Sequence, residues 1–223
     1  MKKGTDTMPK TIACLHAHHS NIEVIEKMLS SHQAELIHFV EPGFDRQKAD
    51  AHFKPEFIQS KLANTMRWIS SCHVDAILVT CTFFTAHLPL MDFSVPIIKI
   101  DELLFSHLKA EKKPAILAFT NPQTVDGTMQ ALAKFDSSIE AKSHLLPNTF
   151  HLIMDGKKRE YLDAVSQGLA ALTKAYPDHV IYAAQLSMAD AAVVAREVDG
   201  VEVGHYGELV GERVNRIIQF SLS

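Results

Sequence analysis

The chain has 223 residues, 47% of them hydrophobic and 22% charged, an ordinary globular composition with length for one large domain or two small lobes. A net charge of −4 offers no basic surface to nucleic acid or an anionic membrane. The basic residues 2–3 lead into Gly4-Thr5-Asp6-Thr7 rather than an apolar run, which does not read as a secretory leader. Every apolar stretch is broken by a charge, Pro or His well before the ~20 residues a membrane span needs.

Residues 1–9 read as a loose tail. TIACLH (11–16) is the first expected strand, followed by an amphipathic helix over 21–30 with Ser20 at its N-cap. A second strand is expected at 34–40 and a helix at 55–71, where Phe57, Ile58, Leu62, Met66 and Ile69 recur at helical spacing. DAILVT (75–80) is nearly continuous in apolar residues, the pattern of a strand buried on both faces of a parallel sheet. Further strands are expected at 95–100, 114–119, 139–146 and 179–184, with helices between them, notably at 156–175 and 206–220. Strands and helices alternating in this way predict a parallel α/β fold.

The two halves resemble each other. DAILVTCTFFTA (75–86) and HVIYAAQLSMAD (179–190) each run strand, polar corner, helix, and each is followed by a Val-containing strand and a helix start, IDELL and YGELV. A gapless superposition puts Cys81 opposite Gln185.

The three cysteines, Cys14, Cys72 and Cys81, form no CxxC pair and read as reduced thiols of a cytoplasmic protein. Neither GxGxxG nor GxxxxGK[ST] occurs, so the two commonest phosphate-binding loops are excluded. Cys81 follows the buried strand where a helix is about to start, the edge at which open parallel sheets bind ligands. A thiol there meets the positive end of a helix dipole and is favoured as thiolate, while a plain core cysteine is the competing reading. Cys14, mid-strand, and Cys72, near a helix end, read as structural.

Three other polar corners follow strands. His16, His18 and His19 suggest either a metal site or a loop that hydrogen-bonds substrate; one local cluster among thirteen histidines is not a coordination shell, and the loop is favoured, with no metal. Thr120-Asn121-Pro122-Gln123-Thr124 opens a helix, with Thr120 or Asn121 as N-cap, and its N–H groups suit a carboxylate. Gln185 and Ser187 form the last corner, where Ser187 reads equally as an N-cap.

Val79-Thr80-Cys81-Thr82-Phe83-Phe84-Thr85-Ala86 resembles the first cysteine motif of the aspartate/glutamate/hydantoin racemase superfamily. Thr120-Asn121-Pro122-Gln123-Thr124-Val125 is similar to that family's T-x-x-T-V corner, with one residue more between the threonines. The element order resembles the family over residues 10–220, though only these motifs are specific. The resemblance implies two similar lobes, each a parallel sheet flanked by helices, facing across a cleft: residues 10–100 joined by a C-terminal helix at 205–223, and residues 101–204. It implies a cofactor-independent isomerase acting at the α-carbon of a small amino acid or carboxylic acid, with Cys81 as base. His16, Thr82, Thr120, Asn121, Thr124, Gln185 and Ser187 would hold the ligand. The family's second cysteine falls at 184–187 by strand order, where this chain has Ala-Gln-Leu-Ser. That departure keeps three alternatives open: a histidine of the 16–19 loop as the second proton relay, a one-cysteine enzyme of the arylmalonate decarboxylase kind, and a non-catalytic protein that binds a small acid. No nucleic-acid or membrane partner is expected, and the resemblance is compatible with a homodimer.

Overall fold

The computed structural model describes residues 9–47 and 49–220, so the expected tail lies outside the described residues except for Pro9. Two four-stranded parallel sheets carry the chain. The first has the order β2-β1-β3-β4 and joins β1 (Lys10–His16), β2 (Ala34–Val40), β3 (Ala76–Val79) and β4 (Ile97–Lys99). The second repeats that order as β6-β5-β7-β8, from β5 (Ala115–Phe119), β6 (Ala141–Leu145), β7 (Val180–Ala183) and β8 (Gly204–His205). Ten helices connect them among the described residues: α1 (Asn21–Leu29), α2 (Gly43–Gln47), α3 (Pro55–Ser70), α4 (Thr82–His87), α5 (Ile100–Glu111), α6 (Val125–Phe135), α7 (Phe150–Met154), α8 (Lys158–Ala175), α9 (Ala189–Asp199) and α10 (Tyr206–Phe220). Described residues up to Lys99 and from Gly211 onward form one compact unit, and Ile100–Val210 form the other.

In the first unit, β3 is AILV with every residue buried, as its near-continuous apolar run requires of a central parallel strand. One face of the sheet carries Ala13, Leu15, Ile77 and Val79, which cluster with Ile58, Leu62, Met66 and Ile69 of α3 and with Phe44 and Phe84. These four α3 residues lie three or four apart and make one helical stripe; Phe57, expected to join it, falls outside and is exposed. Burying the stripe contributes roughly 1.5–3 kcal/mol per side chain before entropy is counted. Pro55 stands in the first turn of α3, where its missing N–H costs nothing.

In the second unit, Ile116, Ala118, Ile181 and Ala183 meet Tyr161, Val165, Leu169 and Leu172 of α8 and the alanines of α9. α9 closes at Gly200, whose φ of 65° is the left-handed stop that glycine adopts without strain. β6 is polar and largely solvent-facing because it is an edge strand, paired only to β5. Ser20 does not cap α1: its backbone is already helical and its side chain makes no cap bond, since its hydroxyl meets His18 Nδ1 at 2.8 Å instead.

Candidate active site

Side chains alternate between the faces of a strand, and this decides what surrounds Cys81. The pairing Leu15↔Val79 between β1 and β3 runs on to set Thr80 beside His16, and their side chains bond at 2.8 Å. Cys81, one residue further with an extended backbone, turns to the other face and packs against the cluster holding Leu15, Val79 and Phe84. It is half-buried and directly precedes α4, whose first hydrogen bond runs from Thr85 N to Cys81 O at 3.0 Å. Thr82, also half-buried, opens that helix. α4 has only six residues, which limits the dipole it can turn toward the thiol.

His16 is on the opposite face and fully buried. Its Nδ1 meets Thr80 Oγ1 at 2.8 Å, and its Nε2 meets His38 Nδ1 of β2 at 2.8 Å. His38 Nε2 in turn lies 3.0 Å from Glu26 Oε1 of α1. Burial first, and then His38 beside it, pull the His16 pKa down to about 4, so the ring is neutral near pH 7. Both its nitrogens are engaged within the protein, so it presents no ring nitrogen to a ligand as it stands. His18 and His19 are exposed and lie against each other, ring centroids 4.2 Å apart. Among the described residues they join no cluster that could share a metal ion.

The polar corners after β5 and β7 do come together, as one network centred on Gln185. Gln185 Oε1 accepts from Thr120 N at 2.6 Å, Asn121 N at 3.0 Å and Thr120 Oγ1 at 2.9 Å, while its Nε2 donates to Thr124 Oγ1 at 3.0 Å. Thr124 Oγ1 passes its own proton to Asn121 O at 3.0 Å. Asn121 caps the 3-10 turn Pro122–Thr124, its side chain accepting from Gln123 N at 3.0 Å. Ser187 sits in the turn after Gln185 and lies 3.1 Å from Tyr161 OH, which is 3.2 Å from Thr120 Oγ1. Because Thr120 spends its proton on Gln185, the hydrogens run Ser187 to Tyr161 to Thr120 to Gln185. Burial raises the Tyr161 pKa against the hydrogen bond it receives from Ser187; the phenol is neutral at ordinary pH.

Two backbone N–H groups and a hydroxyl converging on one oxygen are the donors a carboxylate oxygen attracts. Here a neutral amide oxygen of the protein occupies that point. Tyr161 was not foreseen, because in sequence it is one apolar position of the α8 stripe. His38 and Glu26 lie on separate elements with no motif to link them. A cavity of about 110 Å³ opens elsewhere in the first unit, beside Glu41, Gly43, Phe44, Gln47 and Lys61.

No protein-family model matches the sequence, and no curated protein matches it. Solved structures do. An allantoin racemase from Klebsiella pneumoniae superposes with a TM-score of 0.69 at 15% identity, over 95% of this chain and 89% of that one. A glutamate racemase from Bacillus anthracis gives 0.65 at 16% identity, over 96% and 84%. An arylmalonate decarboxylase gives 0.58 at 12% identity, over 93% and 92%. At these identities what is shared is the fold: the chain has the α/β architecture of these enzymes, with two four-stranded parallel sheets flanked by helices.

Proposed function

We propose that the protein is a cofactor-independent enzyme of the racemase kind, acting at the α-carbon of a small amino acid or carboxylic acid with Cys81 as base. The observation that carries this is a half-buried thiol directly after the central strand β3, on a fold shared with racemases. In the proposed step Cys81 thiolate takes the α-proton and becomes a thiol, and the C–H electron pair moves into the substrate carboxylate as an enolate. Hydrogen-bond donors stabilise that charge as it forms. Return of a proton to the carbon closes the cycle. Thr82, Thr120, Asn121, Thr124 and Ser187 are the proposed ligand-binding side chains and amides, and a substrate carboxylate is proposed to displace Gln185 Oε1 from the N–H groups of Thr120 and Asn121.

A second reading, one-face chemistry, is favoured by one observation. The position matched to Cys81 after β7 is Gln185, whose amide neither ionises near pH 7 nor stands idle, since it makes four hydrogen bonds. With one thiol, abstraction or decarboxylation followed by reprotonation on a single face is the expected activity, and two-face racemisation of free glutamate or aspartate should be slow.

The test incubates the protein in D2O with amino acids, hydroxy acids and substituted malonates, following α-deuteration and loss of carbon dioxide by NMR. Turnover that Cys81→Ala reduces by ~10²-fold or more supports the proposal. Activity indifferent to Cys81→Ala removes Cys81 as base. Saturable ligand binding without exchange would point instead to the non-catalytic binding protein.

A further inference from the structure

We propose that Cys14, His16 and His38 bind one divalent transition-metal ion of the zinc type, on the sheet face opposite to Cys81. The parallel register sets Cys14 directly beside His38, and His16 lies two residues further on the same face of β1. Their ligand atoms all fall within 4.8 Å of one another. Thiolate with imidazole is the donor set that zinc prefers.

The surroundings of the two rings supply the second observation. A ligating histidine ordinarily donates its other N–H to a carboxylate or another acceptor, which fixes the ring and its tautomer. Here both outer nitrogens have such partners: His38 Nε2 has the Glu26 carboxylate at 3.0 Å and His16 Nδ1 has Thr80 Oγ1 at 2.8 Å. The inner nitrogens, His16 Nε2 and His38 Nδ1, meet each other at 2.8 Å, and one nitrogen of each ring lies within 4.8 Å of the Cys14 sulfur.

Without an ion the same groups form a continuous hydrogen-bonded chain that ends on the Glu26 carboxylate. In one tautomer arrangement the Thr80 hydroxyl, turned from Leu15 O, donates to His16 Nδ1, His16 Nε2–H to His38 Nδ1, and His38 Nε2–H to Glu26. That chain leaves Cys14 out; among the described residues its thiol makes a long contact of 3.9 Å to Ile12 O. Burial and the Glu26 charge push the Cys14 pKa up to about 12, so an ion has to displace the thiol proton, as coordinating metals do.

Binding then balances as follows. The thiol proton leaves to solvent, and the His16 proton moves from Nε2 to Nδ1, where it is donated to Thr80 Oγ1. The Thr80 hydroxyl rotates to Leu15 O, 3.1 Å away. His38 keeps its Nε2–H on Glu26. One proton is released per ion, and the charges of the ion, the thiolate and the Glu26 carboxylate cancel. The inner nitrogens must separate from 2.8 Å to roughly 3.3 Å, the span set by Zn–N bonds of about 2.0–2.1 Å at a tetrahedral angle. A fourth position stays open to water. The His38–Glu26 edge, where the Glu26 side chain is 55% exposed, is the path from solvent. The ion braces β1 against β2 and takes no part in chemistry at Cys81.

The full-length protein, stripped with chelator, is titrated with Zn²⁺ by calorimetry and with Co²⁺ by absorbance. The expected result is one ion per chain, one proton released, and a thiolate-to-cobalt charge-transfer band. Cys14→Ala should abolish that band. Glu26→Gln, an exposed change that leaves the core untouched, should weaken binding 10–100-fold. His18→Ala/His19→Ala and Cys81→Ser should bind as the parent does. No stoichiometric uptake, a cobalt complex without the sulfur band, or binding lost with His18 and His19 but kept in Cys14→Ala would each overturn the proposal.

Discussion

Gln185→Ala tests whether the second unit holds a point built for an anionic or carbonyl oxygen. The substitution removes an acceptor that takes three hydrogen bonds and a donor that gives a fourth. At about 0.5–1.5 kcal/mol net for each bond the loss could reach about 6 kcal/mol, but Gln185 is only half-buried and water can replace part of the set. Thr120, 2% exposed, is the group least able to find water. A loss of roughly 2–3 kcal/mol is therefore expected, read by urea unfolding as a lower midpoint at unchanged slope. Gln185→Glu keeps an oxygen at the same point and forfeits only the bond to Thr124, so at neutral pH it should stay within about 1 kcal/mol of the parent. Acetate or glutamate added to Gln185→Ala should restore stability as the logarithm of its concentration, about 2.7 kcal/mol at a hundred times the dissociation constant. Two results would refute the reasoning: Gln185→Glu as damaged as Gln185→Ala, or Gln185→Ala stable and indifferent to carboxylates.

Iodoacetamide at neutral pH should label Cys81 well before Cys14, whose burial and raised pKa hold it as thiol; peptide mapping showing equal rates would count against the proposed site. Gly204→Ala should cost about 1–3 kcal/mol, because the new methyl would meet the ring of Tyr182, which is pinned by its hydroxyl on His205 O at 2.9 Å; a thermal melt unchanged from the parent would contradict that packing. Burial lowers the His205 pKa, with Arg196 assisting and Glu208 and Asp190 opposing, and Nδ1 accepts from Gly207 N. The unfolded chain therefore binds a proton below about pH 6.5 that the folded chain refuses, so stability present above that pH is lost as pH falls through the folded pKa. His205→Asn should flatten the acid slope of stability by up to about 1.4 kcal/mol per pH unit, and an unchanged slope would contradict it.

What could be read in the sequence divides along a physical line. DAILVT announced its strand because burial on both faces demands an unbroken apolar run, and β3 is buried throughout. The five-residue helices α2 and α7 carry too few turns for a periodicity and were not expected. The corners after β5 and β7 were legible for the same reason as the strands: hydroxyls and amides collect where a buried run stops. Their union was not, since Gln185 and Thr120 are 65 residues apart and meet only through the β5–β7 register.

His16 makes the sharper case. Grouped with His18 and His19 by proximity along the chain, it reads as part of a loop facing ligand. Period-two alternation assigns it instead to the face of Cys14, away from Leu15, and β2 brings His38 to that same face. The alternation was there to be read within β1, but the partner strand's register was not, and it is the register that turns two inward polar side chains into a connected buried set. The same rule separates Thr80 from Cys81, neighbours in sequence that serve opposite sides of one sheet. Substitutions at Cys14, His16 or His38 should therefore act on metal binding and on the brace between β1 and β2, and those at Cys81 on the proposed chemistry, with little coupling between the two sets.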